Sequence, residues 1–288
     1  MAITMKVFIS VDMEGVSGLV RWADVTPGTI DFELNRSLMT ADANAAVEGA
    51  FNAGATEVIV EENHGVEDLC VLKMDEIDPR CRVVRGAGRP GSSTMAGLDE
   101  TCDLVMLVGH HARAGSFPGI MAHTISYTEF SLVSLSGEPV GEADFFVRRA
   151  AELSIPVGLI TGDQIVAEQV ARLCPDLEQV VVKTALGRQA GDCIPPVRAR
   201  AMIQEGASRS VQRAINQDLG VFEVSGPHEF EVTLRQPVND AMADNLASLA
   251  EFKLLNNELV RVAADEIELG FRRVAYLGYA RRAGATKY

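Results

Sequence analysis

Residues 6–15 read KVFISVDMEG, and both the fold and the chemistry turn on this stretch. Residues 6–11 form a short, largely apolar and β-branched run with the turn-forming Gly15 just beyond it, the pattern of a buried strand. Successive strand residues point to opposite faces, so Asp12 and Glu14 point the same way. Two carboxylates projecting together from a strand end repel one another unless a cation, a cationic side chain or a shared proton compensates them. A divalent metal is the strongest compensation. A lone Asp-x-Glu is more often a solvated strand end, so the reading depends on what stands at the other strand ends.

Residues 57–61, EVIVE, form a second candidate strand, entered from a helix that Gly54 terminates and followed by His64 in EENHG. A third, LVMLVG at 104–109, leads to His111 in GHHARA. His123 in IMAHT and Glu142 in PVGEAD complete the ligand-type side chains. In open α/β sheets the carboxyl ends of the strands line one crevice, so side chains at three strand ends are expected to converge. His110 should face away from that crevice, because adjacent strand residues face opposite ways. His228 reads as a surface or interface histidine.

Strand-like and helix-like segments alternate through the first two thirds of the chain. A helix is expected over 40–52, a short strand over 81–85, and two extended pieces around Ser136 and Gly137. A helix over 142–153 follows, then a strand over 157–161, a helix over 164–173 and a strand over 179–184. This is α/β organisation, with a mixed or mostly parallel sheet flanked by helices. Glycines and a Pro-Pro pair within 187–196 mark the expected boundary. It separates a metal-binding catalytic domain, residues 1–187, from a smaller C-terminal α+β lobe, residues 188–288, to which oligomerisation is assigned. That lobe is read as a helix over 197–215, an alternating strand over 229–235, and helices starting at Asp240 and Asp265.

The chain has 288 residues, 47% hydrophobic and 23% charged, enough for one large core or two smaller ones. A formal net charge of −14 argues against nucleic acid and anionic membrane partners. No apolar run approaches bilayer length, and the amino terminus lacks a signal-peptide core. The five cysteines are odd in number and scattered, without CxxC spacing, which points to reduced thiols and a cytoplasmic setting. Residues 86–91, GAGRPG, match a dinucleotide fingerprint but do not follow the first strand, and no acidic residue stands at the ribose position, so a glycine-rich loop is the expectation. Neither a GxSxG elbow nor an HExxH helix is present.

VDMEG, the histidine after the second strand, GHHARA, PGIMAH and PVGE, in this order, resemble the DppA-type D-aminopeptidases, a family of dinuclear zinc peptidases that self-assemble into compartments. The match spans about Met5 to Gly162, with weaker support beyond. The resemblance implies that Asp12, Glu14, His64, His111 and Glu142 are zinc ligands, that His123 is the catalytic histidine beside the metals, and that the chain forms a homodecamer around an internal chamber.

Five protein ligands are too many for one catalytic zinc that keeps a position open, so two ions are expected, with Asp12 as the bridging carboxylate. Such a pair can activate water, polarise a scissile carbonyl and anchor a free amine, which together describe an aminopeptidase acting on short peptides; the resemblance implies peptides that begin with a D-residue such as D-alanine. His123 would serve as base, as acid or as nucleophile. Arg113 either binds a substrate carboxylate or carbonyl, or pairs with surface acids, and Trp22 and Phe117 are candidate pocket walls. The rival readings are a zinc amidase with another substrate and a non-catalytic metal-binding assembly protein.

Overall fold

A computed structural model describes residues 4–89 and 95–285. Along the chain its strands are β1 (Lys6–Val11), β2 (Glu57–Glu62), β3 (Arg82–Val84), β4 (Leu104–Val108), β5 (Phe130–Leu135), β6 (Glu138–Pro139), β7 (Val157–Asp163), β8 (Glu178–Ala185), β9 (Gly191–Cys193), β10 (His228–Leu234), β11 (Phe252–Asn256) and β12 (Leu259–Ala264). The helices are α1 (Trp22–Val25), α2 (Ile30–Asn52), α3 (Glu142–Glu152), α4 (Gln164–Ala171), α5 (Pro196–Ile215), α6 (Asp240–Ala247) and α7 (Ile267–Ala285).

The first sheet has the order β3-β2-β1-β4-β7-β8-β9 and is parallel except for β9. Its inner strands are covered on both faces, which is why β4 is apolar at every position instead of alternating. On one face lie α2 and α5, whose Val47, Ile203 and Ala207 join Val7 and Ile9 of β1 in one core. The helix α2 starts ten residues before the expected position. Thr29 caps it by accepting the Phe32 N–H at 3.3 Å, but the exposed Ile30 and Leu34 disguise the periodicity of the first turns.

The second sheet, β11-β12-β10-β5-β6, is antiparallel. Between the two sheets runs α3. Phe146 meets the His110 ring edge-on at 5.5 Å on one side, while Phe145 stacks on Phe230 at 5.3 Å and meets Phe271 at 5.2 Å on the other. These contacts fasten both sheets to the helix that begins with Glu142.

The division expected at 187 and 188 does not follow the sheets. β9 and α5 belong to the first sheet and its cover, whereas β5 and β6 belong to the second. The glycine- and proline-rich stretch is a turn from β8 into β9, followed by proline at the start of α5, where its missing N–H is harmless. His228 is also not at the surface. It sits on the inward face of β10, 4% exposed, with Nε2 3.2 Å from Glu152 Oε1, which accepts the Ile267 N–H as well. Residues 86–89 form a loop in which Arg89 folds back on the Gly86 carbonyl; Pro90 and Gly91 lie outside the described residues.

Gly49 marks the closest approach of α2 to α5, since a Cβ there would lie 2.2 Å from the Gln204 carbonyl oxygen. In an exposed helix Gly→Ala stabilises by about 1 kcal/mol. Here Gly49→Ala is expected to lower Tm, because overpacking of this kind costs about 1–3 kcal/mol. A thermal melt at or above the wild-type Tm would contradict the packing described.

Candidate metal centre

The order of the parallel strands reverses at β1, which has β2 on one side and β4 on the other, so a crevice opens at their carboxyl ends. The chain leaves β1 at Val11 and turns instead of continuing as a strand, yet Asp12 and Glu14 still reach the same place. Backbone bonds lock the turn to its neighbours: Asp12 N–H donates to Val108 O at 2.9 Å, Gly15 N–H to Gly109 O at 2.7 Å, and Asn63 N–H to Val11 O at 2.8 Å. Gly15 is needed for close approach, because a Cβ would fall 1.9 Å from the His110 carbonyl oxygen. Gly109 adds a left-handed φ of +69° with the Asp12 carbonyl where a Cβ would be.

Beneath this turn lies Lys183 of β8, 1% exposed. Its Nζ donates to the carbonyls of Glu14 at 2.6 Å, Val16 at 2.9 Å and Leu19 at 2.6 Å, using all three of its protons. Burial pushes its pKa down to about 8. Reading the sequence missed this residue, although a lysine inside the apolar run VVVKTA at 180–185 was the available signal.

The structure brings together all six residues expected at the site. Asp12, Glu14 and His64 form one group with ligand atoms within 4.8 Å of one another; Asp12, His111 and Glu142 form a second, and Glu14, His111 and His123 a third. Asp12 divides its oxygens, with Oδ1 3.5 Å from His64 Nδ1 and Oδ2 3.3 Å from His111 Nε2. Glu14 Oε2 lies 3.0 Å from His64 Nδ1, and Glu142 Oε1 lies 3.4 Å from His111 Nε2. His123 Nε2 stands 3.9 Å from Glu14 and 3.7 Å from Glu142. Glu142 is itself steered by the Ile125 N–H at 2.8 Å and the Asn63 side-chain amide at 3.3 Å.

Each imidazole is oriented by a backbone carbonyl. His64 Nε2 is 3.0 Å from Val25 O, His111 Nδ1 3.0 Å from Ala112 O, and His123 Nδ1 2.8 Å from Met121 O. A proton donated in each of these bonds leaves the other ring nitrogen facing the carboxylates, the second-shell arrangement of metal-binding histidines. Asp12 Oδ2 and His111 Nε2 are buried without a hydrogen bond, so the donor set of carboxylate oxygens and imidazole nitrogens fits an ion placed between them.

The carboxylates and imidazoles shift one another's pKa values. Burial alone would depress the imidazoles, but Glu14 and Asp12 hold the His64 pKa well above its usual value, and Glu142 and Asp12 push His111 up to about 10. Burial would raise Asp12, yet the hydrogen bond from His64 and the charge of His111 hold it well below the carboxylate range. Burial, and then the neighbouring His111 charge, push His123 the other way, below the usual histidine value.

His110 lies behind the centre, fully buried, with Nε2 3.3 Å from Ser10 Oγ. Arg113 is half-buried, its backbone N–H on Gln169 and its charge acting on Asp144. Of the two candidate walls, Trp22 reaches the site, with its ring 5.4 Å from that of His123. Phe117 is 74% exposed and makes no ring contact with the cluster among the described residues.

The model of the M55 peptidase family, described as D-aminopeptidase, matches residues 5–275 and so takes in every residue of the cluster. The chain belongs to the D-aminopeptidase family. It is 33% identical over 208 residues to a D-aminopeptidase of Bacillus subtilis (strain 168), covering 72% of this chain and 74% of that protein. The solved structure of the Zn-dependent D-aminopeptidase DppA from Bacillus subtilis, described as a self-compartmentalizing protease, superposes with a TM-score of 0.86 at 26% identity, covering 99% of this chain and 100% of that one. The family resemblance read from five short motifs therefore extends over the second sheet as well.

A metal ion bound through these groups would have to displace the protons from His64 and His111. A divalent cation is expected to stabilise metal-free protein by about 2.7 kcal/mol at a hundredfold excess over Kd, seen as a higher Tm, and to bind more weakly as pH falls. A Tm that does not respond to cation, or binding unchanged between pH 8 and pH 6, would contradict the assignment.

Proposed function

We propose that this chain is a dinuclear zinc aminopeptidase that removes the N-terminal residue from short peptides, with D-alanyl peptides as the preferred class. The observation that carries the reading is the division of Asp12 between two groups of ligands, one with Glu14 and His64 and the other with His111 and Glu142. One carboxylate serving two clusters is what a two-metal site requires of its bridge. The zinc dependence of the Bacillus subtilis relative supports zinc as the ion in both. When bound, the zinc pair supplies the Lewis acidity that polarises a scissile carbonyl and acidifies a water molecule.

The remaining steps belong to the protein. His123 is held neutral by burial, and its Nδ1 is engaged with the Met121 carbonyl, so Nε2 is free to accept the proton of the attacking water and return it to the departing amine. The position of Nε2 between Glu14 and Glu142 puts that transfer beside the reacting carbonyl. Asp12, Glu14 and Glu142 give the crevice a negative character that suits the free ammonium end of a peptide. Arg113 is assigned the substrate carboxylate or a backbone carbonyl.

The match across residues 5–275 favours the aminopeptidase over a zinc amidase or a non-catalytic assembly protein. We assign the protein to the cytoplasm, since all five cysteines are free thiols and no described helix is long and apolar enough to cross a membrane. A homo-oligomer, taken here as a decamer, is supported by the self-compartmentalizing description of the relative. The oligomer contacts are assigned to residues 188–288.

Metal analysis combined with hydrolysis of matched D- and L-alanyl dipeptides tests the function. Wild-type protein is expected to hold two zinc ions per chain and to cleave the D-peptide faster. His123→Ala should lower kcat by about 10²- to 10⁴-fold with zinc content unchanged. Loss of zinc in that variant would make His123 a ligand, and failure to cleave either isomer would refute the enzyme.

A further inference from the structure

A line of ring contacts leads outward from the metal centre. His111 and His123 stack with centroids 3.9 Å apart and planes 10° apart; Trp22 meets His123 at 5.4 Å and 68°; Tyr127 lies against Trp22 at 4.2 Å and 36°. Exposure rises along it, from 3% at His111 and 8% at His123 to a half-buried Trp22 and 42% at Tyr127. The far end of the line is an aromatic surface open to solvent, and its near end touches the histidine that handles the proton.

Both outer rings are held in place. Gln189 Oε1 accepts the Trp22 backbone N–H at 3.2 Å, which fixes the start of α1, and α1 ends in Val25, the residue whose carbonyl orients the His64 ring. Arg21 and Asp24 brace this short helix through a charge-assisted hydrogen bond of 2.6 Å. Tyr127 is covered on one side by the Arg235 guanidinium, 5.5 Å from the ring centre, and its carbonyl accepts the Arg235 Nε–H at 2.8 Å. Rings fixed this way offer apolar area at little entropic cost to a ligand.

We propose that Trp22 and Tyr127 form the subsite for the side chain of the leaving residue, the one that follows the scissile bond, and that they select apolar and aromatic side chains there. The inference rests on the aminopeptidase reading and extends it to a substrate class. The peptide's amino end is drawn to the carboxylates and metal positions, which are the buried end of the line. His123 delivers its proton to the departing amine, so the leaving residue begins at His123 and extends outward. The first surface it meets in that direction is the indole of Trp22, followed by the exposed ring of Tyr127. A side chain such as phenylalanine or leucine gains buried area against these rings, and glycine gains none.

The test compares kcat/KM for D-alanyl-phenylalanine and D-alanyl-glycine in wild type, Trp22→Ala and Tyr127→Ala, each at full zinc loading and with its Tm recorded. Wild type is expected to favour the phenylalanine peptide. Trp22→Ala should reduce that preference about tenfold or more, chiefly through KM, whatever loss the two peptides share. Tyr127→Ala should shift the preference in the same direction by less, and this more exposed position guards against a folding defect at Trp22. Equal losses on both peptides in Trp22→Ala, with no change of preference in Tyr127→Ala, would overturn the subsite and leave Trp22 as a support for His123. Wild-type protein inactive on both peptides would instead overturn the aminopeptidase reading, and the subsite with it.

Discussion

Asp12, Glu14 and Glu142 are each less than a tenth exposed and share the same few ångströms of a crevice. Buried like charges at that spacing repel strongly and have lost most of their hydration, so positive charge must be brought among them. The His64 and His111 rings, whose pKa values these carboxylates hold above the usual imidazole range, supply it, and divalent ions held by the same ring nitrogens would supply more once the protons leave. A chain that packed these carboxylates against an apolar sheet without such partners would not hold its fold there. The centre is therefore a structural requirement of the crevice as well as its chemistry.

Distant parts of the fold serve this centre. The three carbonyl bonds from Lys183 set the course of the backbone after Glu14, and the interlocked Gly15 and Gly109 let the ends of β1 and β4 touch. Glu142 comes from a different direction. The β5–β6 hairpin of the second sheet feeds directly into α3, and the phenylalanines of that helix grip both sheets. The second sheet is thus part of the apparatus that aims Glu142 into the centre.

The alternation of apolar runs and helical stretches was enough to read the parallel sheet, because strands covered on both faces are apolar throughout, as in LVMLV at 104–108. The six residues of the centre were legible for a related reason. Ligand-type side chains stood at the ends of those runs, where an α/β sheet collects them. What local pattern could not reveal depends on tertiary contact. The hairpin of β11 and β12 has mixed burial and weak alternation, and the turn into β9 looked like a domain boundary because turns and boundaries share glycine and proline. Lys183 and the inward position of His228 become visible only when the carbonyls and carboxylate they meet are in place.

The proposed bridging role of Asp12 requires a metal ion on each side of it. Anomalous diffraction at the zinc edge from crystals of the zinc-loaded protein examines it directly. Two peaks should appear, on the order of 3.5 to 4 Å apart, one bordered by Asp12, Glu14 and His64 and the other by Asp12, His111 and Glu142. A single peak at full occupancy, or two peaks of which only one adjoins Asp12, would contradict it.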